Sequence, residues 1–188
     1  MAERVLVAGI GNIFLSDDGF GSAVVGELLS RRVPEDTRVV DYGIRGVHLA
    51  FDLDPSVETL ILVDTVPEAA GESGSLVVLE VDLDRFAADQ VEVERIDGAT
   101  VDAHSMDPGS VFRSLAAMTD ARPHTLVVGC QPETVEDGIG LSDVVAAAVP
   151  TAAEKVLELV ARRLSNPVPG GPATGRTPPG TPENGAES

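Results

Sequence analysis

Short β-branched runs alternating with stretches of helical periodicity set the rhythm of this chain. Residues 4–8 (RVLVA) form the first run and end at Gly9, as a buried opening strand would. After a glycine-rich loop, Phe20, Val24, Val25, Leu28 and Leu29 recur at helical spacing through about Arg32, and Pro34 stops the pattern. Residues 37–41 read as a second strand and 47–53 as a short helix closed by Asp54-Pro55. Residues 58–63 are the most hydrophobic strand, with Asp64 at its C-terminal end. Residues 74–81 and 90–96 read as further strands, the latter alternating charge and so half exposed or at an edge. A helix over 108–118, a strand over 124–129 and a long helix over 141–164, interrupted at Pro150, complete the series. Strands alternating with helices predict an α/β domain whose mostly parallel sheet is covered on both faces.

At residue 165 the pattern ends. The segment 165–188 is Pro, Gly, Thr and Ser without apolar periodicity, and it is expected to be a disordered tail behind a single domain of residues 1–164. The 188 residues suit one α/β domain, and 43% hydrophobic content supplies a core. A net charge of −18 speaks against nucleic acid and anionic membranes as partners. It suits basic segments or metal cations. A lone Cys130 excludes a disulfide framework or a thiolate cluster, and it reads as a small buried residue. The opening apolar run is too short for a signal peptide, and no run of about 18 apolar residues is present. A cytoplasmic location without a membrane span is the expectation.

Three fragments carry the candidate chemistry: GIGNIFLSDDGFG at 9–21, LILVDTV at 60–66 and DAHSMDP at 102–108. The first follows a strand, the second ends one and the third precedes a helix, so all three belong where loops of an α/β sheet converge. The glycine loop imitates a dinucleotide fingerprint, with Asp41 in the place of a ribose-binding acid. Phe14, however, stands where the third glycine belongs, and a pyrophosphate would face Asp17 and Asp18 with no Lys or Arg in the loop. Two aspartates ahead of a helix can also cap it. One can cap while the other reaches into the crevice, and spacing does not choose between them. Asp64 sits where open α/β sheets place ligands, although a turn or cap role is the plainer alternative. Of three histidines, His48 and His124 read as structural, while His104 lies in a loop beside the candidate acids. Two carboxylates and one imidazole, from Asp17 or Asp18, Asp64 and His104, would form a borderline-hard site with an open position, suited to zinc or nickel. No HExxH helix, GxSxG elbow or P-loop occurs.

At these fragments the chain resembles the hydrogenase maturation proteases, endopeptidases that process the large subunit of nickel–iron hydrogenases. GIGNIFLSDDGFG resembles the family's Gly-x-Gly-Asn-x-x-x-x-Asp-(Asp or Glu)-x-x-Gly signature, LILVDTV its strand-plus-aspartate, and DAHSMDP its histidine segment, in the expected order from residue 4 to about 160. The resemblance implies a three-layer sandwich of the phosphorylase/hydrolase-like kind, a twisted sheet between helices. It places Asp18, Asp64 and His104 at a metal-sensing site whose nickel is supplied by the substrate, with zinc or another divalent ion as the alternative occupant in isolation. It implies a nickel-loaded large-subunit precursor as partner and removal of its C-terminal extension as the reaction, with Asp18 and Asp64 as the catalytic acids of an aspartyl-type protease. Water would be activated either by the metal or by a carboxylate base. The family often carries Asp-Gly-Gly-Thr-x-Gly after the second strand; here it is Asp41-Tyr42-Gly43-Ile44-Arg45-Gly46, so Asp41 remains a candidate catalytic acid and a threonine hydroxyl is replaced by Ile44. A chaperone or checkpoint that holds the large subunit without cutting it is the alternative function.

Overall fold

The computed structural model describes residues 3–66, 71–84, 92–95, 100–102 and 109–166. Strands β1 (Val5–Ile10), β2 (Thr37–Gly43), β3 (Thr59–Thr65), β4 (Leu76–Val81), β5 (Glu92–Arg95), β6 (Thr100–Asp102) and β7 (His124–Cys130) form one sheet in the order β2-β1-β3-β7-β4-β5-β6. The β2-β1-β3-β7 half is parallel. β4, β5 and β6 extend it antiparallel. The hydrophobic runs explain this layout. β1 and β3 are buried along their whole length, as strands covered on both faces must be. β4 buries alternate residues Val77, Leu79 and Val81.

Helices cover both faces. On one face α1 (Phe20–Leu29) and α4 (Asp143–Ser165) pack Phe20, Val24, Leu28, Val145, Ala152 and Val156 against Val5, Val7, Ile61, Val63 and Leu126. On the other, α2 (Leu49–Asp52) and α3 (Gly109–Met118) pack Leu49, Phe112 and Leu115 against Leu6, Ala8, Leu60 and Leu62. Adjacent strand residues thus feed opposite cores, as the two-residue period requires. The expected three-layer α/β sandwich is present.

Local differences from the sequence pattern have physical causes. Leu29 lies on the helical stripe of α1 but is 66% exposed, because it stands about 100° around the helix from the fully buried Leu28. Pro150 does not interrupt α4, which runs through it for 23 residues. Pro150 and Ala146 are both exposed, so the carbonyl that loses its amide partner faces water. The helix expected from residue 108 begins at Gly109. Ser165, expected to open the tail, is the last residue of α4, and residues 167–188 lie outside the described residues, as does His104. Among the described residues, no helix is long and apolar enough to cross a membrane.

Candidate active site

β1 leads to β2 on one side and is flanked by β3 on the other, so the chain connections diverge at the carboxyl ends of β1 and β3. Such a switch point opens a crevice, because the loops leaving the two strands turn to opposite faces. Two of the expected acids meet there. Asp64 occupies the penultimate position of β3, and Asp18 sits in a 3-10 turn (Ser16–Gly19) between β1 and α1. Both line one cavity of about 170 Å³, walled by Asn12, Ile44, Val47 and Val111 among others. Both are nearly buried, with 6% of Asp18 and 2% of Asp64 exposed.

Their orientation is built in. Asp18 accepts the backbone N–H of Asn12 at 2.7 Å on one oxygen and the Thr65 hydroxyl at 3.1 Å on the other. Asp64 accepts the N–H of Thr65 at 2.7 Å. Thr65 therefore touches both acids, one through its side chain and one through its amide. Asn12 and Thr65 carry no acid–base chemistry of their own, and the sequence singled out neither. The available hints were the Asn position of the family signature for Asn12 and adjacency to Asp64 for Thr65.

Asp17 does something else. It is fully buried and accepts the N–H groups of Glu133, Thr134 and Ser142 at 2.6–3.0 Å, together with the Ser142 hydroxyl at 3.0 Å. Burial opposes its charge. The amides of Thr134, Ser142 and Glu133, with the Ser142 hydroxyl, more than offset this and hold the carboxyl below the usual carboxylate range. Ser142 is the residue before α4, so Asp17 ties the glycine loop to the start of the last helix. Backbone bonds between Ser16 and Gly138 and between Phe14 and Gly138 extend the same seam. The choice that spacing left open is thus made by partners: Asp17 holds the loops together, and Asp18 faces the cavity.

The glycines serve close packing. A Cβ on Gly21 would collide with the carbonyls of Ile10 and Val63, so α1 lies flush on β1 and β3 only because position 21 has no side chain. Gly11 adopts a φ of 125°, and a Cβ there would strike the Asp18 carbonyl. A nucleotide pyrophosphate would need the loop amides, but the Asn12 N–H is already committed to Asp18.

Asp41 lies apart from the acid pair. It is exposed, accepts the Ser22 hydroxyl and the Gly43 N–H at 2.9 Å each, and lines a second, adjoining cavity of about 220 Å³. A register shift between β1 and β2 at Gly9/Ile10 turns the backbone here, burying Tyr42 and presenting Ile44 outward. Among the described residues no group of three or more His, Cys, Asp or Glu could hold a metal. The described part of the site is a pair of carboxylates. His48 makes an edge contact with Phe51, and His124 pairs with Glu80 at the start of β7, in keeping with structural roles. Burial and the charge of Asp17 push the Cys130 thiol up to about 12, which leaves it a core residue.

Comparison with known proteins points one way. The family model described as hydrogenase maturation protease matches residues 23–159. A hydrogenase expression/formation protein of Azotobacter vinelandii, HoxM, is 34% identical over 167 residues, covering 86% of this chain and 74% of that protein. The hydrogenase 2 maturation protease of Escherichia coli is 28% identical over 155 residues, covering 82% of this chain and 88% of that protein. Among solved structures, the hydrogenase maturating endopeptidase HybD from E. coli superposes with a TM-score of 0.65 at 28% identity, covering 87% of this chain and 94% of that one.

Proposed function

This chain belongs to the hydrogenase maturation protease family, and from that premise we propose that it removes the C-terminal extension of a nickel–iron hydrogenase large subunit after nickel has been inserted. The observation that carries the proposal is the convergence of Asp18 and Asp64, from two separate loops, on one cavity at the sheet's switch point.

The donor set fits the substrate this reading requires. Two buried carboxylates suit a divalent ion of nickel or zinc type, and in this proposal the nickel arrives with the precursor. His104 would complete the set; it lies outside the described residues. The ion would supply polarisation of water or of the scissile carbonyl when present. The residues of the chain do the rest. Asn12 and Thr65 fix the carboxylates, and Ile44, Val47 and Val111 line the cavity beside them. Hydrolysis needs a group that takes the proton of the attacking water and returns it to the leaving amine, and in this proposal a carboxylate of the Asp18–Asp64 pair makes that exchange. Asp41, held by Ser22 and Gly43, positions the 41–46 loop at the entrance. The cytoplasmic location stays part of this proposal.

The test is the intact mass of a nickel-loaded large-subunit precursor before and after incubation with the protein. Nickel-dependent loss of a short C-terminal peptide, abolished by Asp64→Asn, is the expected result. An unchanged mass with a stable complex would overturn the protease reading in favour of the non-cleaving chaperone. Exposed Ile44, in the position of the family threonine, is the one observation that favours this second reading.

A further inference from the structure

The acid cavity does not end at its own walls. It meets the second cavity across Gly11, Asn12, Gly43 and Ile44, which line both. The two cavities differ in chemistry. The first holds Asp18 and Asp64. The second is bordered by Ile13, Phe14, Tyr42 and Ile44, with Asp41 and Arg45 as its charged groups. Asp41 is already engaged by Ser22 and Gly43.

Single exposed apolar residues are ordinary, but several around one cavity are not. Ile13 is 50% exposed, Phe14 62% and Ile44 76%, and they stand on two lips, residues 11–14 and 41–45. Neither lip is loose. Phe14 donates its N–H to the Asn12 side chain and accepts from Gly138, while Arg45 donates to the Tyr42 carbonyl and Gly43 to Asp41. The apolar side chains are therefore held outward by a hydrogen-bonded frame, which lowers the ordering cost of binding. Between the cavities Gly11 and Gly43, joined by an N–H to carbonyl bond of 3.2 Å, add no side chain to the saddle that also carries Asn12 and Ile44. A chain can cross that saddle. In extended form its successive side chains advance by about 3.3 Å and point alternately to opposite sides, so a bond over the acids leaves an adjacent side chain at the second cavity.

We propose that the Ile13–Phe14–Ile44 cavity is a specificity subsite that takes an aliphatic side chain of the substrate immediately beside the bond to be cut, with Ile44 as its determining residue. The proposal rests on the protease reading above. It assigns to Ile44 a positive role in selecting substrate: the methyl groups desolvate an apolar side chain and reject a charged one, which would lose its hydration there.

The test uses the full-length protein and nickel-loaded precursors carrying Leu, Asp or Lys at each of the two positions flanking the scissile bond. Asp or Lys at one of those positions should lower kcat/KM by about tenfold or more, with KM carrying the loss. Ile44→Asp should do the same to the Leu precursor and regain activity on the Lys precursor, while Ile44→Leu keeps the preference for Leu over Asp and Lys. Ile44 is exposed, so these variants keep the fold, which a thermal unfolding curve checks. If the wild-type protein cuts all three precursors equally at both positions, or if Ile44→Asp leaves the preference unchanged, the subsite is overturned and the protease reading stands. If the wild-type protein cuts none of them, the protease reading falls and takes the subsite with it.

Discussion

Asp17 and Asp18 are consecutive, chemically identical and both nearly withdrawn from water, yet they belong to different parts of the molecule. Asp17 is surrounded by four donors from the 133–142 region and lines neither of the two cavities that Asp18 and Asp41 border. Among the described residues Asp18 has one donor on each oxygen, and it lines an open cavity with Asp64. A buried carboxylate must have its charge compensated. Full compensation by fixed amides makes a staple. Partial compensation beside a cavity leaves a carboxylate that a substrate atom can still meet. Burial alone therefore says nothing about function; the partners that face the group do.

The sharpest way to break this contrast is activity. Asp18→Asn and Asp64→Asn should each reduce precursor processing on the order of a thousandfold, followed as intact mass against time. Normal processing by Asp18→Asn would remove the distinction between the two neighbours. Next in size is stability. Asp17→Ala leaves three amides and a hydroxyl without their acceptor, and chemical unfolding should show a loss of about 2–4 kcal/mol. The surviving folded fraction should still cut, because the acid pair is untouched. A stable but inactive Asp17→Ala protein would move Asp17 into the chemistry.

The smallest expected effect sharpens the same point through pH. Asp17 has a folded pKa below its unfolded value of about 3.9. Its contribution to stability is complete above that unfolded value and is lost as pH falls through the lower folded pKa. Wild type should therefore lose stability more steeply than Asp17→Ala when urea unfolding is compared between pH 5 and pH 3. Parallel acid profiles for the two proteins would show that the amide cluster does not hold the carboxylate charged.

How much of this was readable in the chain follows from what each residue answers to. The buried runs of β1 and β3, the stripe of α1 and the Asp64 position are set by local hydrophobic period, which a sequence carries directly. Hence the α/β class, the helices on both faces and an acid at the end of a central strand were legible. The antiparallel addition of β4–β6 was not, because strand direction depends on which edge of the existing sheet is free, and no local period encodes it. Pro150 misled for a related reason: whether a proline ends a helix depends on what its orphaned carbonyl meets, and here that is water.

The candidate site divides in the same way. The sequence by itself determined that acids and glycines gather after β1 and β3, and its three fragments identified the family. Only the tertiary structure decided which of Asp17 and Asp18 faces the cavity, that Thr65 and Asn12 orient the acids, and that Ile13, Phe14 and Ile44 stand around one adjoining hollow. Those decisions come from partners distant in sequence, such as Ser142 for Asp17, 125 residues away. A donor that reaches across the fold leaves no mark in the local pattern, because its contribution exists only once the two loops have been brought together.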